Sequence, residues 1–113
     1  MSDRVEITVN DHVAEVMLNR PDKFNALDVE MFYALDQAAQ TLAEESSVRA
    51  VVLHGAGENF CAGIDISVLQ GGGEQVARTL LAPVKGSPAN LAQRAAYAWR
   101  ELDVPVILSL IHI

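Results

Sequence analysis

The segment His54-Gly55-Ala56-Gly57-Glu58-Asn59-Phe60-Cys61-Ala62-Gly63-Ile64-Asp65-Ile66-Ser67 holds the residue types best suited to chemistry in this chain. Ala62 and Gly63 are small enough for a ligand to approach the main chain, and Asp65 is a candidate cap for a short helix beginning near Ile66. An exposed peptide N–H in such a turn can donate to an oxygen on which negative charge develops. Losing one donor of that kind costs about 10²- to 10³-fold in rate. Two glycine-based alternatives fit less well. A dinucleotide fingerprint needs a third glycine at position 60 after Gly55 and Gly57, where Phe60 stands. A phosphate-cradling loop needs Gly-Lys-Ser/Thr, but Gly63 is followed by Ile64. Cys61 has no histidine tied to it by sequence, so it reads as a small buried apolar group rather than a nucleophile. By the same reasoning Lys23 is a solvated loop charge, and Asn25 closes the loop before a helix. His12 and His54 read as turn and strand-end residues, and Tyr97 and Trp99 as packing residues.

The elements that must position this segment follow from periodicity. Val5, Ile7 and Val9 alternate with polar residues, Asn10-Asp11 supplies turn chemistry, and Val13 to Leu18 resumes an apolar run: a β-hairpin. Pro21 restricts Arg20 to extended geometry, so Asn19 to Lys23 is a loop. Behind Asp28 as N-cap, Met31, Leu35, Ala38 and Leu42 recur at helical spacing, which predicts a helix over about 29–45. Arg49 to His54 reads as a strand buried on both faces. Gly71-Gly72-Gly73 marks a break, and Pro83, Gly86 and Pro88 bound a further loop. Leu91, Ala95, Ala98 and Leu102 predict a helix over 89–102, and 103–108 returns to a strand with Pro105 near its start. A hairpin followed by alternating helix and strand favours a parallel sheet with crossover helices.

Composition bounds the function. The 113 residues, half of them apolar, suffice for one domain with a real core. A net charge of −7 argues against nucleic acid or an anionic membrane as partner. Nowhere do about 18 apolar residues follow one another, and no basic segment precedes an apolar run at the N-terminus. With a single cysteine and so no intrachain disulfide, this reads as a cytoplasmic protein.

Phe60 to Ile66 resembles the Phe-x-Ala/Ser-Gly-x-Asp-Ile/Leu motif of the crotonase (enoyl-CoA hydratase/isomerase) superfamily. Arg20-Pro21 followed by Asn25-Ala26-Leu27 resembles that family's Arg-Pro…Asn-Ala-Leu element. Val104-Pro105-Val106-Ile107 resembles the strand leading toward the second half of its oxyanion hole. The resemblance runs from about Val5 to Ile107. It implies an α/β, crotonase-like (ββα spiral) fold, with 1–107 as an incomplete N-terminal part and 108–113 as a tail departing from the pattern. It implies an enoyl-CoA hydratase or isomerase, a lyase or isomerase of fatty-acid or related acyl-CoA metabolism. The Ala62 N–H would be the first oxyanion-hole donor to an acyl-CoA thioester. Lys23, Ala26, Leu27, Ala62, Ile64, Asp65 and Ile66 would bind the coenzyme A moiety, with no metal and no other cofactor. Full-length relatives would be homotrimers or hexamers.

Family members continue from the Pro-Val-Ile strand into a glycine-rich turn bearing the second donor, then into a helix with catalytic carboxylates. Leu108-Ser109-Leu110-Ile111-His112-Ile113 stands in that place here. The 113-residue chain by itself is therefore expected to be inactive and, with a sheet edge and a core face uncovered, poorly soluble. The rival readings are a non-catalytic acyl-CoA-binding or assembly module, and a nucleotide-binding βαβ unit disfavoured by Phe60.

Overall fold

Alternation in the first eighteen residues folds as a hairpin, β1 (Val5–Asn10) antiparallel to β2 (Val13–Leu18), with Val5 opposite Leu18 and Asn10 opposite Val13. The structure is a computed structural model and describes residues 3–71 and 73–110. The turn residues are Asp11 and His12, both at positive φ (47° and 68°), as the twist of a two-residue hairpin demands. His12 is held there from both sides. Its Nδ1 lies 2.8 Å from the Ser47 carbonyl, and its own carbonyl accepts the Arg49 N–H at 2.7 Å.

Asp28 caps α1 (Val29–Ala43) as its type suggested, its Oδ1 accepting the Met31 N–H at 2.8 Å. The helix stops two residues short of Glu45. Glu44 and Glu45 would both have added negative charge at the negative end of the helix dipole. α1 is the crossover between β2 and β3 (Ala50–Gly55), which run parallel with Val13 opposite Ala50 and Leu18 opposite Gly55. β4 (Val106–Leu108) adds parallel to β3, giving the order β1-β2-β3-β4. Pro105 lies just before β4, where it needs no N–H and its carbonyl accepts from Val51 at 2.9 Å.

The core lies on one face of this sheet. Ala14, Val16, Leu18, Val51 and Leu53 meet Met31, Ala34, Leu35, Ala38 and Leu42 of α1. β3 is therefore not buried on both faces, as its apolar run had suggested. Among the described residues helices pack on only one side, and Val52 and His54 point to a half-exposed face that also carries Glu6, Thr8 and Glu15. An apolar run in a parallel strand reports two covered faces only when both layers are present.

Between β3 and β4 come α2 (Ile66–Gly71), α3 (Gly73–Leu80) and α4 (Leu91–Arg100). Gly72, within the expected glycine break, and 111–113 of the tail lie outside the described residues. α4 is shorter at both ends than its periodicity suggested. Its start is set by a capping box: Asn90 Oδ1 accepts the Gln93 N–H and Gln93 Oε1 accepts the Asn90 N–H, each at 2.9 Å. α4 is tied to α1 through Arg94, whose Nε donates to Asp36 at 2.7 Å and whose Nη1 donates to Ser87 Oγ at 3.0 Å and to Glu101. Trp99 is buried in the core as expected, but Tyr97 is exposed because it falls on the opposite face of α4.

Candidate active site

Two loops meet at the C-terminal ends of β2 and β3, and Asn25 and Arg20 join them. A 3₁₀ turn over Pro21–Lys23 leads into Phe24 and Asn25, both left-handed at φ 54° and 58°. Asparagine tolerates that conformation better than most residues. It turns the Asn25 side chain fully inward, where Oδ1 accepts the Arg20 N–H at 2.8 Å. Its Nδ2 donates to the carbonyls of Ala56 (3.0 Å) and Asn59 (2.8 Å). Asn25 therefore closes its own loop, as expected, and also clasps the loop that follows β3. Gly55 makes this approach possible. A Cβ there would lie 2.5 Å from the carbonyl oxygens of Asn59 and Phe60 and 2.7 Å from Asn25 Nδ2.

Arg20 makes the second joint. Its Nη1 donates to Asp65 Oδ2 at 2.6 Å and to the Ala26 carbonyl at 3.0 Å, and Nη2 lies 3.7 Å from Asp28. Asp65 caps α2, Oδ1 accepting the Ser67 N–H (2.8 Å) and hydroxyl (2.7 Å). These Ser67 bonds, with the Arg20 guanidinium, bring its carboxyl down to about 2. The Asp28 carboxyl is also lowered: burial acts to raise it, but hydrogen bonds from Arg4 and the Met31 N–H prevail.

The chain between these joints is extended. The Leu27 N–H donates to the Gly63 carbonyl at 2.8 Å, and the Asp65 N–H donates to the Leu27 carbonyl at 2.9 Å. Gly63 bends at φ +87°. The Ala62 N–H lies just before this bridge and, among the described residues, donates to no protein acceptor. The first helix after β3 begins at Ile66 rather than near position 60, so Gly55 and Gly57 open a loop instead of a dinucleotide-binding helix.

Beside this strand lies an apolar cleft of about 450 Å³. Leu18 and Leu53 form its floor with Val106 and Leu108; Phe32 and Leu35 of α1 form one wall. Ala92, Ala95, Ala96 and Trp99 of α4 also line it. Cys61 and Gly63, on either side of Ala62, both line it, with Phe60 and Ile64.

The structure thus brings together Leu27, Ile64 and Asp65 through the backbone bridge, and Ala26 through Arg20. Leu27 and Ile64 line the cleft; Ala26 is buried behind it. Lys23 and Ile66 are exposed on the flanking turn and helix start, away from the cleft lining. Cys61 is half-buried on the cleft wall rather than fully buried, its Sγ 3.4 Å from the Gly63 N–H. From sequence Arg20 was named only as part of a motif and its joining role was missed, as was the alanine face of α4. The small side chains at 92, 95 and 96 are visible in the sequence, but that they face a cleft is not.

Residues 13–87 match the family model described as enoyl-CoA hydratase/isomerase. The chain belongs to this family. "Probable enoyl-CoA hydratase EchA14" of Mycobacterium tuberculosis is 44% identical over 70 residues, which are 62% of this chain and 27% of that protein. The mitochondrial Delta(3,5)-Delta(2,4)-dienoyl-CoA isomerase of Rattus norvegicus is 42% identical over 72 residues, 59% of this chain and 22% of its own length. A crystal structure of an enoyl-CoA hydratase/isomerase family member superposes with a TM-score of 0.77 at 32% identity, covering 97% of this chain and 40% of that one. One from Xanthobacter autotrophicus Py2, at 24% identity, shares the fold with a TM-score of 0.82 over 98% of this chain and 39% of its own. The chain therefore spans about a quarter of the length of these curated relatives and has the α/β crotonase fold in part, with a partial sheet.

Proposed function

We propose that this enoyl-CoA hydratase/isomerase family chain binds an acyl-CoA thioester, with the Ala62 N–H donating to the thioester carbonyl. The observation that carries this reading is an uncommitted N–H set between two residues, Cys61 and Gly63, that both line an apolar cleft. An unspent donor beside an apolar wall would favour charge on the carbonyl oxygen as an enolate develops. Arg20 and Asn25 act as positioning residues: they fix the two ends of the 56–65 segment and touch no substrate. Lys23, on the exposed turn, would meet a phosphate of the coenzyme, and the backbone of Ile64, Asp65 and Ile66 would meet its adenine and pantetheine parts. No aspartate or glutamate lines the cleft among the described residues, so the proton-transfer group of a hydratase or isomerase is not supplied there.

The test compares crotonyl-CoA with its thioether analogue, which lacks the carbonyl, by titration calorimetry. One hydrogen bond to the carbonyl should make the thioester bind about fivefold tighter, and Ala62→Pro, which removes the N–H, should erase the difference. Equal affinities in the wild type would refute the donor role. Absence of binding by either compound would refute the acyl-CoA reading.

A further inference from the structure

We infer that the buried ion pair between Arg94 and Asp36 positions α4 against α1 and thereby governs how tightly the cleft grips an acyl group that neither residue touches. This rests on the acyl-CoA reading and adds two positioning residues to that site. The pair joins the two helices that supply cleft lining: Phe32 and Leu35 precede Asp36 on α1, and Ala95 and Ala96 follow Arg94 on α4. Both charged residues are buried, each 8% exposed. Arg94 Nε donates to Asp36 Oδ1 at 2.7 Å and Gln40 Nε2 donates to Asp36 Oδ2 at 3.1 Å, so both carboxylate oxygens are engaged. Arg94 Nη1 donates to Ser87 Oγ, ahead of the Asn90 cap, and to Glu101, the residue that ends α4. One guanidinium therefore gathers both ends of α4 and fastens them to α1. Apolar contact alone would not fix this placement. The α4 side chains on the lining at 92, 95 and 96 are alanines, with little bulk to keep a spacing, and apolar packing adjusts when helices slide. A buried guanidinium–carboxylate pair resists such drift, because any shift leaves a desolvated charge short of its partner. The tolerance of the ligand is also narrow: a gap of about 0.5–1 Å along one side of the cleft forfeits about a quarter to a half of each contact made there.

Replacing the pair by apolar residues of similar volume separates this role from plain stability, because such a swap can restore the fold while removing the geometric constraint. The variants are Arg94→Met/Asp36→Leu and Arg94→Lys, which keeps the charge but loses the planar fork. They and the wild type are titrated with CoA and octanoyl-CoA through the emission of Trp99, the only tryptophan of the chain and part of the cleft lining. Far-ultraviolet circular dichroism and thermal melts show which of them are folded. The quantity read is the preference for octanoyl-CoA over CoA, which isolates the acyl group. It should fall at least about tenfold in the double variant even where its melting temperature matches the wild type, and at least about threefold in Arg94→Lys. Should the double variant not fold, Arg94→Lys decides alone. If a folded variant keeps the full preference, or the folded wild type binds both compounds equally, the inference is wrong while the acyl-CoA reading stands. If the folded wild type binds neither compound, that reading falls as well.

Discussion

Replacing Asn25 by alanine should cost more than any surface change in this chain, and the amount can be worked from its contacts. Three hydrogen bonds are lost at once, one from the Arg20 N–H and two to the Ala56 and Asn59 carbonyls, at a fully buried site. At about 1 kcal/mol net each, they amount to about 3 kcal/mol. Alanine must also hold φ near +58°, which adds about 1 kcal/mol. The total of about 4 kcal/mol is a large part of the stability of any small domain. Urea denaturation followed through Trp99 emission is the assay. With a slope of about 1.5 kcal/mol per molar, the midpoint should fall by about 2.5 M. Asn25→Asp keeps the shape and the acceptor but sets a carboxylate oxygen against two carbonyls, so it should be no better than alanine. A midpoint shift below about 0.5 M for either variant, with the slope unchanged, would refute the clasp as a stabilising element.

Gly55→Ala puts a methyl group 2.5 Å from two backbone oxygens and should destabilise by about 2 kcal/mol or more in the same assay. Arg94→Met leaves Asp36 buried without its cation and should cost about 3 kcal/mol; the double variant Arg94→Met/Asp36→Leu should recover most of it in thermal melts. Asp65 titrates near 2 in the folded chain, below an unfolded carboxyl near 3.8, so its contribution is present above about pH 4 and is lost as pH falls toward 2. Melting temperatures of the wild type should therefore drop more between about pH 4 and pH 2 than those of Asp65→Asn. Because no carboxylate lines the cleft among the described residues, hydration of crotonyl-CoA by the purified 113-residue chain should not exceed the buffer rate; turnover well above it would show that a base is present after all.

Local physics was enough to read much of this protein from its sequence. The hairpin, α1 with its Asp28 cap, the strand before Gly55, the Asp65 cap of α2 and the strand after Pro105 all follow from periodicity, capping and proline geometry, each a property of neighbouring residues. The motif resemblance pointed to the family that the match over residues 13–87 bears out. Tertiary structure decided what depended on residues far apart in the chain. That Asn25 reaches Ala56 and Asn59, that Arg20 reaches Asp65, and that Cys61 and Gly63 share a cleft with Trp99 are contacts across more than thirty positions, which no local period encodes. The same holds for burial. The apolar run of β3 states that its side chains avoid water, but only the placement of α1 and α4 on one side of the sheet determines which face is covered.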